Sequence, residues 1–202
     1  MSLFSQHPIK LDLPGADVTY YPDFFSPEEA AIYFETLLKE TPWQQDDIKV
    51  FGKVHPQPRL TALYASNNQP YSYSNISMHP QQFTFALSEI KKRIEATVSH
   101  NFTTCLLNLY RDGKDSNGWH SDDEKELGPN PVIASLSLGS SRIFKFREKA
   151  NTKNVHKIAL APGSLLLMKE RTQHLWQHQI PKTSKPTGKR INLTFRIITE
   201  EH

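Results

Sequence analysis

After Phe102 the chain reads as a succession of strands. Apolar residues recur at every second position in Cys105–Tyr110, Val132–Leu138, Arg142–Arg147, Val155–Leu160, Ser164–Lys169, Leu175–Ile180 and Arg190–Ile198. That period places alternate side chains on opposite faces of a sheet. Pro162-Gly163 and the neighbourhood of Gly113 supply turn signals between the runs. A strand with one apolar face must bury it, so a run of about seven such strands demands a second layer. The expected class is mainly β with flanking helices, arranged as a sandwich or jelly roll.

Two helices precede the strands. Ser26 suits an N-cap, Pro27 the first helical position, and Glu29 completes a capping box. Ala30, Ile32, Tyr33, Phe34, Leu37 and Leu38 then supply an apolar stripe. The spacing of Phe83, Leu87, Ile90 and Ile94 predicts a second helix from Gln81 to Thr97, with Lys91, Lys92 and Arg93 on a solvated outer face. The segment from Ile48 to Ile76 carries aromatic residues but a poor core pattern, and reads as irregular strand and loop. One structural domain is expected, with residues 1–100 packed on a core of 101–202.

Composition excludes several classes. With 37% hydrophobic and 22% charged residues, the 202-residue chain is globular in character rather than disordered. Its single cysteine, Cys105, cannot close an internal disulfide, and the chain reads as intracellular. No stretch reaches the ~20 apolar residues of a membrane span, and Met1–Pro8 lacks the pattern of a secretory signal. A soluble monomer without a membrane partner is therefore expected, cytoplasmic in a bacterium or nuclear in a eukaryote. The net charge of +3 permits a polyanionic partner without requiring one.

The chemistry begins at Trp119-His120-Ser121-Asp122. In extended backbone, positions i and i+2 face the same side, so His120 and Asp122 converge on one ion. A third ligand must come from elsewhere. His174 and His178 both qualify, since both point the same way from one alternating strand. Two histidines and a carboxylate on one face of an octahedron leave open positions, the arrangement of non-haem iron oxygenases. A closed structural zinc site would call for cysteines that the chain does not have.

Arg190-Ile191-Asn192-Leu193-Thr194-Phe195-Arg196 alternates without a break. Arg190, Asn192, Thr194 and Arg196 share one face, either the wet side of an edge strand or a clamp for a dicarboxylate. The two guanidiniums start roughly 20 Å apart at ~3.3 Å per residue, and leaning inward they would bracket a five-carbon diacid bidentately. Asn108 and Tyr110, on one face of an earlier strand, add neutral hydrogen bonds.

Four blocks taken together, Asn108-Leu109-Tyr110-Arg111-Asp112-Gly113, Trp119-His120-Ser121-Asp122-Asp123-Glu124, Trp176-Gln177-His178 and Arg190 to Arg196, occur in the order of the AlkB nucleic-acid dealkylases. The chain resembles that family closely over its C-terminal half and more loosely back to about Val50, and is most similar to the homologues that act on duplex DNA. The resemblance implies a double-stranded β-helix, with Fe(II), 2-oxoglutarate and O₂ as cofactor and cosubstrates. It selects His178 over His174 as third ligand, since the matched histidine lies shortly before Pro181. It assigns Arg190 and Tyr110 to the distal carboxylate of 2-oxoglutarate and Arg196 and Asn108 to the end that chelates iron, with Asn192 and Thr194 lining the site. The implied reaction hydroxylates a methyl carbon on a base nitrogen, and collapse of the hemiaminal releases formaldehyde and the repaired base. Other oxygenase substrates on the same core, RNA or protein, and a non-catalytic lesion sensor are the alternatives.

A base in a duplex must be flipped out to reach buried iron. By the same resemblance, residues 1–100 carry nucleotide recognition: Tyr71 and Tyr73 match pocket positions, and Asp123 and Glu124 stand beside a cationic methylated base such as 1-methyladenine or 3-methylcytosine. Val50-Phe51-Gly52, between Lys49 and Lys53, resembles the wedge that fills the gap in the stack, against the alternative of a core strand. Arg59, Lys182, Lys185 and Lys189 are candidate phosphate contacts.

Overall fold

Ser26 and Pro27 start the first helix as the sequence indicates. The Ser26 side chain accepts from the Glu29 backbone N–H, and the Glu29 carboxylate accepts from that of Ser26, closing the capping box of α1 (Pro27–Glu40). Ile32 leaves the apolar stripe and is 66% exposed. The second helix, α2 (Phe85–Val98), starts later than Gln81 because Thr84 caps it; Gln81 instead bridges to Tyr64. Arg93 is not merely solvated. It pairs with Glu29 at 2.6 Å, donates to the Phe24 carbonyl and lies 4.4 Å from the Phe25 ring centroid, tying α2 to α1.

The structure, a computed structural model, describes residues 7–50, 53–66, 71–73 and 76–198, with the backbone alone at 49–50, 71–73 and 76–77. Before α2 its strands are β1 (Ile9–Lys10), β2 (Asp17–Tyr21), β3 (Asp47–Val50), β4 (Lys53–Pro56), β5 (Leu60–Ala65), β6 (Tyr71–Tyr73) and β7 (Ile76–Met78). After it come β8 (Thr104–Tyr110), β9 (Asn117–His120), β10 (Ile133–Gly139), β11 (Arg142–Glu148), β12 (Val155–Leu160) and β13 (Leu165–Lys169). A short helix α3 (Thr172–Leu175) precedes β14 (Trp176–Ile180) and β15 (Arg190–Arg196).

These strands form a seven-stranded sheet, β1-β2-β13-β10-β15-β8-β5, and a four-stranded sheet, β12-β11-β14-β9. From β8 onward the chain passes repeatedly between the two, and the strand pairs within them are antiparallel. This is the jelly roll, or double-stranded β-helix. The large sheet is covered on both sides. Ile191, Leu193 and Phe195 join Leu37, Leu87 and Ile90 in a core beneath the helices, whereas Phe144, Phe146, Trp176 and Leu166 fill the space between the sheets. All seven residues of β15 are consequently buried, so it is a central strand and not an edge.

The region from Ile48 to Ile76 is more regular than its pattern suggests. β3 pairs with β4, β6 with β7, and β5 enters the large sheet beside β8. Ala62, Leu63, Tyr64 and Ala65 are all buried, and a strand covered on both faces has no alternation to reveal it. Gly163 (φ 78°) makes the turn before β13, where a Cβ would sit 2.6 Å from the Phe25 carbonyl oxygen. Among the described residues no helix is long and apolar enough to cross a membrane.

Candidate active site

Each of the three ligands reaches the site by a different local route. His178 projects from β14 and stands opposite His120 at the end of β9, with ring centroids 4.2 Å apart. Asp122 lies just beyond β9, where its backbone N–H donates to Gln173 Oε1 at 3.0 Å. One ligand atom from each of the three lies within 4.8 Å of the others. His174 is elsewhere. It sits exposed in α3 rather than on the strand, so the two histidines do not share a face and only His178 enters the cluster.

The donor set is in the state a divalent metal requires. His120 Nδ1 lies 2.7 Å from the Gly118 carbonyl oxygen. A carbonyl only accepts, so Nδ1 carries the proton and Nε2 keeps its lone pair. Burial lowers the pKa of His120, and lowers that of His178 to about 3 with help from the neighbouring His120, so both rings stay neutral. Burial alone would raise the Asp122 carboxyl, but the charge and hydrogen bond of the Arg196 guanidinium hold it at about 2. Arg196 Nη2 donates to Asp122 Oδ1 at 2.7 Å, and Phe144 stacks on His178 at 5.2 Å.

A cleft runs from these ligands along the inner face of the large sheet. Strand register builds its wall: Asn192 stands opposite Asn108 on one side and Ser137 on the other, and Arg190 opposite Tyr110. Arg190 Nη2 donates to Ser137 Oγ at 2.9 Å, Asn192 Nδ2 to Ser135 Oγ at 2.8 Å, and Thr194 Oγ1 to Asn192 Oδ1 at 3.1 Å. Arg190 Nε and Nη1 are buried without a hydrogen-bond partner among the described residues. Two unsatisfied N–H groups on a buried cation fit a carboxylate. Arg190 and Arg196 are thus not an equivalent pair of jaws, since Arg196 is engaged with the ligand carboxylate.

The expected base-contacting residues are scattered. Phe51 and Gly52 lie outside the described residues; Tyr71 and Tyr73 are on β6, and Lys53 is exposed on β4. Asp123 pairs with Lys149 at 3.0 Å. Glu124 has a buried Oε2 without a partner, and burial followed by the Asp122 charge raises it to about 6. Arg59 is not placed for surface phosphates. It is 3% exposed, and its Nε donates to Asn108 Oδ1 at 2.7 Å.

Residues 17–196 match the family described as the 2OG-Fe(II) oxygenase superfamily. Human DNA oxidative demethylase ALKBH2 is 36% identical over 194 residues, covering 91% of this chain and 74% of that protein. The chain belongs to the AlkB family. Mouse alpha-ketoglutarate-dependent dioxygenase alkB homolog 3 is 44% identical over 190 residues, covering 90% of this chain; the chain spans 66% of that protein's length. The solved structure of OsALKBH1 superposes with a TM-score of 0.67 at 15% identity, over 95% of this chain and all of that one, a likeness of fold.

The family's description names Fe(II) and 2-oxoglutarate, and two neutral imidazoles with a carboxylate are a donor set that fits such an ion. Sequence reasoning did not find Gln173, Phe144, Ser135 or Ser137. Nothing local marks them: Gln173 is 51 positions from the Asp122 N–H that it accepts from.

Proposed function

We propose that this protein is an oxidative DNA demethylase that removes methyl groups from the ring nitrogens of alkylated bases of the 1-methyladenine and 3-methylcytosine type. The observation that carries the proposal is the continuity of one cleft from His120, Asp122 and His178 to Arg190. A metal and an anchored diacid would therefore share one cleft. A DNA oxidative demethylase among the 36% identical relatives supports the choice of substrate.

The three ligands hold Fe(II), and Arg190 with Tyr110 holds the distal carboxylate of 2-oxoglutarate, while Asn108, Asn192, Thr194 and Arg196 line the end nearer the metal. Together with O₂, the bound groups supply the hydroxylation of the N-methyl carbon, with succinate and CO₂ as coproducts. The protein's own part is placement. Phe144 and the apolar layer between the sheets keep water from the reacting carbon. Glu124 and Asp123 face the cationic base, and Glu124 accepts from its exocyclic amine. The hemiaminal then collapses to formaldehyde and base without a protein nucleophile.

The substrate reading extends to duplex DNA with the base flipped between Tyr71 or Tyr73 and the metal-ligand histidine, the Phe51 wedge filling the gap, and the enzyme acting as a monomer. Residues 1–100 supply recognition and 101–202 the catalytic core. Lys182 and Lys185 line an open groove beside β11. Its cationic wall suits phosphates.

The test is direct. Protein, Fe(II), ascorbate and 2-oxoglutarate are incubated with methylated DNA and RNA oligonucleotides, and each mark is followed by mass spectrometry. Methyl loss from DNA is expected, abolished in His120→Ala, Asp122→Ala and His178→Ala and retained in His174→Ala. Turnover of 2-oxoglutarate with demethylation of RNA alone, or of neither nucleic acid, would overturn the substrate assignment.

A further inference from the structure

β9 carries the first metal ligand yet is weakly held. It is an edge strand of four residues, and its pairing with β14 is limited to His178↔His120 and Ile180↔Asn117, with an irregularity between them. So short a ladder does little to fix the direction of its terminal residue, His120. On the outer face of the same sheet, a second set of contacts spans the three strands behind the histidines.

We propose that Arg147, stacked on Trp119 and anchored by Gln177, is a positioning residue for the metal centre. The register pairs Phe146 with His178 and Arg147 with Gln177. Adjacent residues of a strand face opposite sides, so His178 looks into the cleft and Phe146 into the apolar layer between the sheets, while Arg147 and Gln177 look out. Arg147 Nη2 donates to Gln177 Oε1 at 2.6 Å, and the guanidinium carbon lies 4.4 Å from the centroid of the Trp119 ring. One side chain from β11 is thus bonded to β14 and stacked on β9, next to His120. A planar guanidinium can stack with its face while bonding through its edge, which an ammonium cannot do. Arg147 Nε is buried without a hydrogen-bond partner among the described residues. The contact is therefore organised around the stack.

Field and strap act in opposite directions. A cation behind a divalent ion repels it, so removing only the charge of Arg147 would tighten metal binding. Removing the strap frees His120 and weakens it. This proposal rests on the metal-site reading, and the experiment separates the two.

Co(II) is titrated into the metal-free full chain and followed by visible absorption, with His178→Ala as the reference for adventitious binding. Arg147→Met keeps the stem and is expected to weaken Co(II) binding about 10- to 100-fold, the range for residues that orient ligands. Trp119→Leu should act in the same direction, Trp119→Phe should stay near the wild type, and the double variant Arg147→Met/Trp119→Leu should be no weaker than the weaker single. Lys145→Met removes a cation from the same outer face without touching the stack, and should bind Co(II) as tightly as the wild type or more so. Gln177→Leu, which removes only the anchor, carries the expectation of Arg147→Met should that variant not fold. Equal or tighter binding by Arg147→Met, equal loss in Lys145→Met, or a fall in melting temperature with unchanged Co(II) affinity would overturn the proposal. Wild-type binding by His178→Ala would instead remove the metal site itself.

Discussion

Arg190 is a buried cation with two N–H groups that the described residues leave unsatisfied, and burial pulls its guanidinium down to about 10. Replacing a buried charge by an apolar side chain of similar length is often neutral or stabilising. Arg190→Met should therefore leave the melting temperature of the ligand-free protein unchanged or higher. Its affinity for 2-oxoglutarate should fall about 10- to 100-fold, since a hydrogen bond to a charged group contributes roughly 1.5–3 kcal/mol. Calorimetry with Mn(II) in place of iron measures both effects. An unchanged affinity would take Arg190 out of the cosubstrate site. His178 makes a prediction in pH. Its folded pKa, about 3, lies below the ordinary histidine value of 6.5, because burial and then His120 oppose its charge. The unfolded chain thus binds the extra proton first, and the metal-free protein loses stability as pH falls from about 6.5 toward 3. Glu124, raised to about 6, runs the other way: its contribution is present below its ordinary range and lost as pH rises through 6. The wider gap belongs to His178, so thermal melts of the metal-free protein should show a net fall on acidification, reduced in His178→Gln. Equal acid sensitivity in His178→Gln would exclude this histidine as the cause.

At the scale of elements, the β3–β4 pair stands apart from both large sheets, and the four residues of β4 are exposed. Phe51 and Gly52 lie between these strands in the sequence. If Phe51 fills a gap in a base stack, it matters only where a duplex must be held open. Unstacking costs a few kcal/mol per step, so Phe51→Ala should reduce kcat/KM on methylated duplex DNA by one or two orders of magnitude and spare the single strand. Tyr73→Ala should reduce both, because stacking in the pocket is needed however the base arrives. Equal losses on the two substrates with a large drop in melting temperature would make Phe51 a core residue instead. The elements also differ in how openly the sequence announces them. The start of α1 was legible to the residue, because its capping box is a contact between positions three apart. β5 was not, because a strand covered on both faces reads as a featureless apolar run. β9 escaped too, being only four residues long with an irregular ladder.

At the scale of the whole molecule, the two large sheets share a centre drawn from both. His120 and His178 belong to the four-stranded sheet, while Arg190 and Asn108 belong to the seven-stranded one. Ligands bridging this seam should stabilise the fold as a unit. At a hundredfold excess over Kd, a single ligand contributes about 2.7 kcal/mol, or roughly 5–10 °C of melting temperature for a chain of this size. Mn(II) should raise Tm alone, and 2-oxoglutarate should add a further rise that is largest when Mn(II) is present. A cosubstrate shift that ignores the metal would mean that the two do not share the cleft.

The period-two strands, the helix cap, the His120-x-Asp122 pair and the alternating face of β15 were determined by the sequence itself, because each is a relation between residues one to four positions apart. Strand order alone decided the rest. It set β15 in the centre of a sheet, joined Arg59 to Asn108 across 49 positions and Arg196 to Asp122 across 74, and brought His178 rather than His174 against His120. Such contacts depend on which strands become neighbours, and neighbourhood is settled by burying both faces of the large sheet at once, not by any local run of side chains.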